Sequence, residues 1–106
     1  MKLYRILRHP TVEQDLLSIV TMIKNYAGVE IAFQKLSQIE EAIQSLSMTP
    51  HKGSLRNEVC PNLRVVPAGR KGVVCFFVDD GTKTVRIFAI GYAGTDWSTT
   101  VLERGF

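Results

Sequence analysis

The chain has 106 residues, of which 45% are hydrophobic and 22% charged, and it carries a formal net charge of +3. A chain of this length buries roughly 65% of its unfolded surface around one core, so a single domain over residues 1–106 is expected, and the balance of apolar to charged residues excludes wholesale disorder. The basic excess favours an acidic partner or nucleic acid without choosing between them.

The N-terminal stretch MKLYRILRHP breaks its apolar residues with basic ones, and the longest apolar run, VVCFFV at 73–78, is far too short to cross a bilayer. A cytoplasmic protein with no membrane partner is expected. Residues 3–8, LYRILR, read as a first strand, ended by His9-Pro10. Thr11 is placed to cap a helix in which Val12, Leu16, Ile19, Val20 and Ile23 recur at helical spacing, with Asp15 near its positive end. That helix should stop near Ala27-Gly28. A second begins soon after, with Ala32, Leu36, Ile39, Ile43 and Leu46 on one face and Gln34, Lys35, Gln38, Glu41, Gln44 and Ser45 on the other, which predicts an antiparallel helical hairpin.

From Met48 to Pro61 prolines, a glycine and turn-forming residues break the periodicity, and a long loop is expected. Three β-like runs follow: LRVVP (63–67), GVVCFFV (72–78) and TVRIFAI (84–90). The intervening Ala68-Gly69-Arg70-Lys71 and Asp79-Asp80-Gly81-Thr82 have hairpin chemistry. The layout is β-α-α-β-β-β with a tail: an α+β fold in which a helical hairpin packs on a mostly antiparallel four-stranded sheet. Cys60 and Cys75 lie outside any C-x-x-C spacing, and His9 and His51 are scattered. Two buried or idle thiols are expected, with no metal and no cofactor.

This order of elements, with the strand–Pro–helix start, Leu46, Pro50 and Gly53 in the pattern L-x-x-x-P-x-x-G, an arginine entering the second strand, and the closing Asp96-Trp97, resembles the ParE/RelE superfamily of toxins from bacterial toxin–antitoxin modules. The ParE branch typically follows its last strand with histidine and then an arginine-aspartate-tryptophan-like sequence. Here Asp96 and Trp97 match, whereas Tyr92 stands where histidine is usual and Thr95 where arginine is common. The resemblance implies a toxin that binds and inhibits DNA gyrase and is neutralised by a ParD-like antitoxin, in a homo-oligomer or a hetero-oligomer with that antitoxin. The RelE branch implies the alternative of messenger RNA cleavage on the ribosome, and an inactive toxin-like binding module is a third reading.

Metal-free RNA cleavage needs a base for the 2′-hydroxyl, an acid for the leaving oxygen and cations for the phosphorane. The position where a RelE-like enzyme carries a middle-strand arginine falls near Val73, and its late basic cluster falls on Tyr92-Ala93-Gly94-Thr95, so two expected cations are absent. Arg64, Arg86 and Tyr92 are the alternative catalytic set, although Arg64 and Arg86 alternate with apolar residues as on any solvated sheet face. Candidate target-binding residues are Tyr92, Thr95, Asp96, Trp97, Arg70 and Lys71, with His51, Lys52 and Arg56 as further loop cations. Trp97 is also expected to clasp the core, with Gly91 and Gly94 turning the chain out of the last strand. Simple alternation from Val85, Ile87 and Ala89 places Ile90 and Tyr92 on the opposite face, leaving Tyr92 exposed.

Overall fold

The computed structural model describes residues 3–104. The expected domain, residues 1–106, and the N-terminal reading that includes Met1 and Lys2 therefore extend outside the described residues. The elements run β1 (Arg5–Arg8), α1 (Val12–Ala27), α2 (Val29–Ser45), β2 (Ser54–Leu55), β3 (Arg64–Ala68), β4 (Gly72–Asp79), β5 (Thr84–Tyr92) and α3 (Trp97–Arg104). Five strands form one sheet in the order β1-β5-β4-β3-β2, with β1 parallel to β5 and every other pair antiparallel. The α+β class and helical hairpin stand as expected, with one more strand than the sequence suggests.

The hairpin turns on a single residue. Gly28 closes α1 by donating its N–H to the Lys24 carbonyl, and its φ of +93° lets α2 start at the next residue. Val12, Leu16, Ile19 and Ile23 from α1 join Ala32, Ile39 and Ile43 from α2, and pack on Val66, Val74, Phe76, Val85 and Ile87 of the sheet. Thr11 does occupy the N-cap position, but it does not cap. Its backbone is already helical and its hydroxyl lies 2.7 Å from His9 Nδ1.

The extra strand comes from the segment expected to be a loop. Gly53 brings the chain so close to β3 that a Cβ there would lie 2.4 Å from the Val65 carbonyl oxygen. That approach lets Ser54 and Leu55 pair with Val65 and Arg64. Pro50 is buried and Leu46 is fully buried at the end of α2, so the L-x-x-x-P-x-x-G spacing seats this segment on the sheet.

A second core lies on the sheet face away from the hairpin, where Leu63, Val65, Cys75, Phe88, Ala89 and Val101 pack together. It is covered in part by α3, which replaces the expected tail. Between Cys75 and Phe76 the register of β4 against β5 shifts, since Phe76 pairs with Ile87 while Cys75 pairs with Ala89. Phe88 is the additional residue of a β-bulge.

Candidate functional site

The predicted target-binding residues converge at one end of the sheet. The Ala93 N–H donates to the Lys71 carbonyl at 3.0 Å, and Gly72 pairs with Tyr92, so the Arg70-Lys71 turn lies against the exit from β5. Arg70, Lys71 and Thr95 are exposed, and Trp97 is half-buried against the second core.

Tyr92 is not exposed as alternation predicted. The bulge at Phe88 reverses the faces, sends Ile90 and Tyr92 to the helix side with Val85 and Ile87, and leaves Tyr92 only 4% accessible. Burial, and then a hydrogen bond with Tyr26 of α1, raises its phenol above the ordinary value.

Thr95 and Asp96 build the turn that launches α3. The Thr95 N–H and hydroxyl both donate to the Tyr92 carbonyl, at 3.1 and 2.6 Å. Asp96 accepts from the Ser98 hydroxyl at 2.6 Å, the Thr99 N–H at 3.2 Å and the Thr99 hydroxyl at 2.5 Å. These bonds, led by that from Ser98, hold its carboxyl down at about 2. Asp96 is thus the helix cap that Thr11 is not. Gly91 does not make the turn. It lies within β5, and a Cβ there would meet Val73 Cγ2 at 2.9 Å and Trp97 Cβ at 3.1 Å, so its role is to leave room for the tryptophan clasp; the turn falls at Ala93 and Gly94, both with positive φ.

The alternative catalytic set is not brought together. Arg64 pairs across the sheet with Phe76, a residue of the helix-side core, and its Nη1 donates to the His51 carbonyl at 2.9 Å. Arg86 pairs with Phe77 and is exposed on the other face, while Tyr92 is buried on the helix side. The Val73 position, where the related arginine would fall, lies beneath Gly91 and Trp97. Among the described residues no three His, Cys, Asp or Glu side chains come together as a metal site, and no helix is long and apolar enough to cross a membrane.

Two features had no counterpart in the sequence reading. One is a partly buried ion pair between Asp15 of α1 and Arg104 of α3, whose side chains are 13% and 14% exposed. Arg104 Nη1 donates to Asp15 Oδ2 and to the Phe88 carbonyl, both at 2.8 Å, and Asp15 Oδ2 also accepts the Ile90 N–H at 3.0 Å. Because β1 ends opposite Ile87, the pair satisfies backbone groups on the part of the β5 edge that β1 does not reach. The other is a groove of about 680 Å³ on the helix-free face, lined by Leu7, His9, Cys60, Phe77, Arg86 and Phe88 among others.

Solved structures share this architecture. A chromosomal ParDE toxin–antitoxin system from P. aeruginosa matches with a TM-score of 0.73 at 21% identity, over 86% of this chain and 97% of that one. The RelBE2 toxin–antitoxin complex of Mycobacterium tuberculosis matches at 0.61 and 19%, over 86% and 99%. A free arginine-to-alanine double mutant of E. coli RelE matches at 0.67 and 11%, over 98% and 99%. The fold is therefore that of the ParE/RelE superfamily. Curated protein sequences gave no match. A family model described as the ParE toxin of the type II toxin–antitoxin system parDE matches residues 6–97, and the chain belongs to that family.

Proposed function

We propose that this ParE-family chain arrests growth by binding and inhibiting DNA gyrase in the cytoplasm without cleaving nucleic acid, and that a ParD-like antitoxin neutralises it. The observation that carries the reading is the separation of Arg64, Arg86 and Tyr92: two lie on opposite sheet faces and the third is buried, so these three do not converge on one phosphate. The proposed target surface is the end of the sheet where Arg70, Lys71, Thr95 and Trp97 stand together, with Tyr92 supporting it from beneath and Asp96 holding α3 in place. The antitoxin part of the proposal draws on the family and on the toxin–antitoxin complexes among the structural matches.

Two assays on one induced protein test it. Purified chain should inhibit gyrase supercoiling, and messenger RNA from induced cells should remain intact in primer extension. Transcripts cut within codons, with supercoiling unaffected, would place the activity with the ribosome-dependent nucleases and refute the proposal. Induction without growth arrest would favour an inactive binding module.

A further inference from the structure

β1 covers the edge of β5 only as far as Ile87. Beyond that point α1 and α3 straddle the edge, joined across it by Asp15 and Arg104, and between them lies a cleft of about 160 Å³ lined by Ile19, Met22, Ile90, Tyr92, Thr95 and Thr100 among others. At about 30 Å³ for each water-sized atom it holds about five, enough for the side chain of one Leu, Ile or Met. Three of its polar side chains already have partners. Asp15 accepts from Arg104 and from the Ile90 N–H, the Thr95 hydroxyl donates to the Tyr92 carbonyl at 2.6 Å, and the Thr100 hydroxyl donates to the Asp96 carbonyl at 3.3 Å. A fourth, Ser18, is exposed to water. With Ile19, Met22 and Ile90 on its walls, the cleft favours an apolar side chain over a charged one, which would lose its water there without gaining a free counter-charge.

The cleft adjoins the proposed target surface, because Thr95 belongs to both and is exposed. On one flank of Thr95 are cations. The Ala93 N–H donates to the Lys71 carbonyl at 3.0 Å, which holds the Arg70-Lys71 turn beside the exit from β5, and neither Arg70 nor Lys71 has an ion pair among the described residues. On the other flank are two large side chains of α1. Met22 is 40% exposed and Tyr26 is 62% exposed, and their spacing of four residues puts them one turn apart on the same side of the helix. The hydrogen bond between Tyr26 and Tyr92 ties that exposed ring to the end of β5.

We propose that the target surface extends onto α1, and that it takes an acidic segment of the target protein: an aliphatic side chain of the segment enters the cleft between Met22 and Thr100, Tyr26 packs beside it, and carboxylates of the same segment meet Arg70 and Lys71. The proposal rests on the gyrase reading above and adds the contact residues on α1 and the chemistry of the segment they recognise. Two uncompensated cations favour carboxylates, and the apolar walls of the cleft favour burial of an aliphatic group next to them. A nucleic-acid strand fits less well. Its phosphates would satisfy Arg70 and Lys71, but even the smaller bases exceed a cleft sized for about five atoms.

The test is inhibition of gyrase supercoiling by the full chain, with binding of the chain to gyrase measured alongside in the presence and absence of DNA. Met22→Glu, which sets a carboxylate at the cleft, and Tyr26→Ala should each raise the concentration for half inhibition by about tenfold or more. Met48→Glu, the same change at an exposed methionine after α2, should stay within about threefold of wild type. Added salt should shrink the difference between wild type and Arg70→Ala with Lys71→Ala, and leave the difference between wild type and Tyr26→Ala unchanged, since only the first is a contact between charges. Met22 and Tyr26 are both exposed, and urea melts of the two variants separate a lost contact from a lost fold. Wild-type inhibition by folded Met22→Glu and Tyr26→Ala chains would overturn the assignment and leave the gyrase reading intact. A wild-type chain that leaves supercoiling untouched would overturn the gyrase reading and the assignment with it. If Met22→Glu weakens binding to gyrase only when DNA is present, the cleft contacts nucleic acid and the acidic segment is refuted.

Discussion

Replacing Asp15 by alanine should destabilise the fold far more than replacing Arg104, although the two form one ion pair. Asp15 accepts the Ile90 N–H as well as two bonds from Arg104, whereas Arg104 gives up only Asp15 and the Phe88 carbonyl. Without Asp15, an N–H at the uncovered edge of β5 loses its acceptor, at about 1–3 kcal/mol. The guanidinium also loses its partner, and breaking a buried pair costs about 3–5 kcal/mol when the remaining charge stays buried. Arg104 can reach water if the last turn of α3 loosens, which trims that second cost. The expected loss for Asp15→Ala is therefore about 3 kcal/mol, against about 1–2 kcal/mol for Arg104→Ala, which leaves Asp15 still bonded to Ile90. Asp15→Asn should fall between them, since its amide oxygen still serves the Ile90 N–H. Urea denaturation of the wild type, both single variants and the double variant measures the terms, and the cycle should give a coupling of about 1–2 kcal/mol. A coupling near zero, or an Asp15→Ala protein within about 0.5 kcal/mol of wild type, would show that the pair does not anchor α3 to the sheet.

Tyr92→Phe should cost no more than about 1 kcal/mol, the scale of one hydrogen bond, whereas Tyr92→Ala should cost about 3 kcal/mol or more as a buried aromatic truncated to a methyl; thermal melts decide, and a fully stable alanine variant would refute its place in the core. His51→Ala with Lys52→Ala should stay within about 0.5–1 kcal/mol, since the His51–Asp80 pair is solvent-exposed. Gly53→Ala in the same segment should cost more than that pair of changes, because its φ of +84° disfavours any side chain and its Cβ would strike the Val65 carbonyl; equal effects in denaturant melts would contradict the close approach. The Asp96 carboxyl titrates lower in the folded chain than in the unfolded one, so its contribution is complete above the ordinary value of 3.8 and is lost as the pH falls towards about 2. Acid unfolding followed by Trp97 fluorescence should therefore be shallower in that window for Asp96→Asn than for wild type, and identical acid limbs would remove Asp96 as the cap of α3.

Much of this architecture is legible because it is local. The apolar spacing from Val12 to Ile23 and from Ala32 to Leu46 is a helical period, and Gly28 between them leaves no length for anything but a tight reversal. What stays hidden depends on partners distant in the chain. Ser54 and Leu55 become a strand only because Gly53 sets them beside Val65 and Arg64, a pairing that two residues cannot announce by pattern. The last helix contains Thr99, Thr100 and Val101, all β-branched and indifferent helix formers, and it is held by the Asp96 cap, the burial of Val101 and the pairing of Arg104 with Asp15, 89 residues away. Asp96, an N-cap residue type directly before Trp97, was the available cue to a helix start.

Alternation read from the sequence puts Tyr92 on the wrong face of the sheet, and one residue accounts for the difference. A strand of strict period two that buries Val85 and Ile87 would go on to bury Ala89 and Gly91, and would leave Tyr92 on the sheet face away from the helices. Phe88 adds a residue opposite the Cys75–Phe76 step, so Phe88 and Ala89 both join the helix-free core while Ile90 and Tyr92 turn to the helices. The bulge also lies where β1 has ended, and the backbone groups it leaves at that edge, the Phe88 carbonyl and the Ile90 N–H, are those bound by Arg104 and Asp15. The extra residue that buries Tyr92 thus marks the place where α3 is fastened. With Tyr92 inside and Asp96 bonded as the helix cap, the proposed target surface at this end reduces, among the residues expected from sequence, to Arg70, Lys71, Thr95 and the exposed part of Trp97, and the orientation of that tryptophan depends on α3 remaining fastened at the bulge.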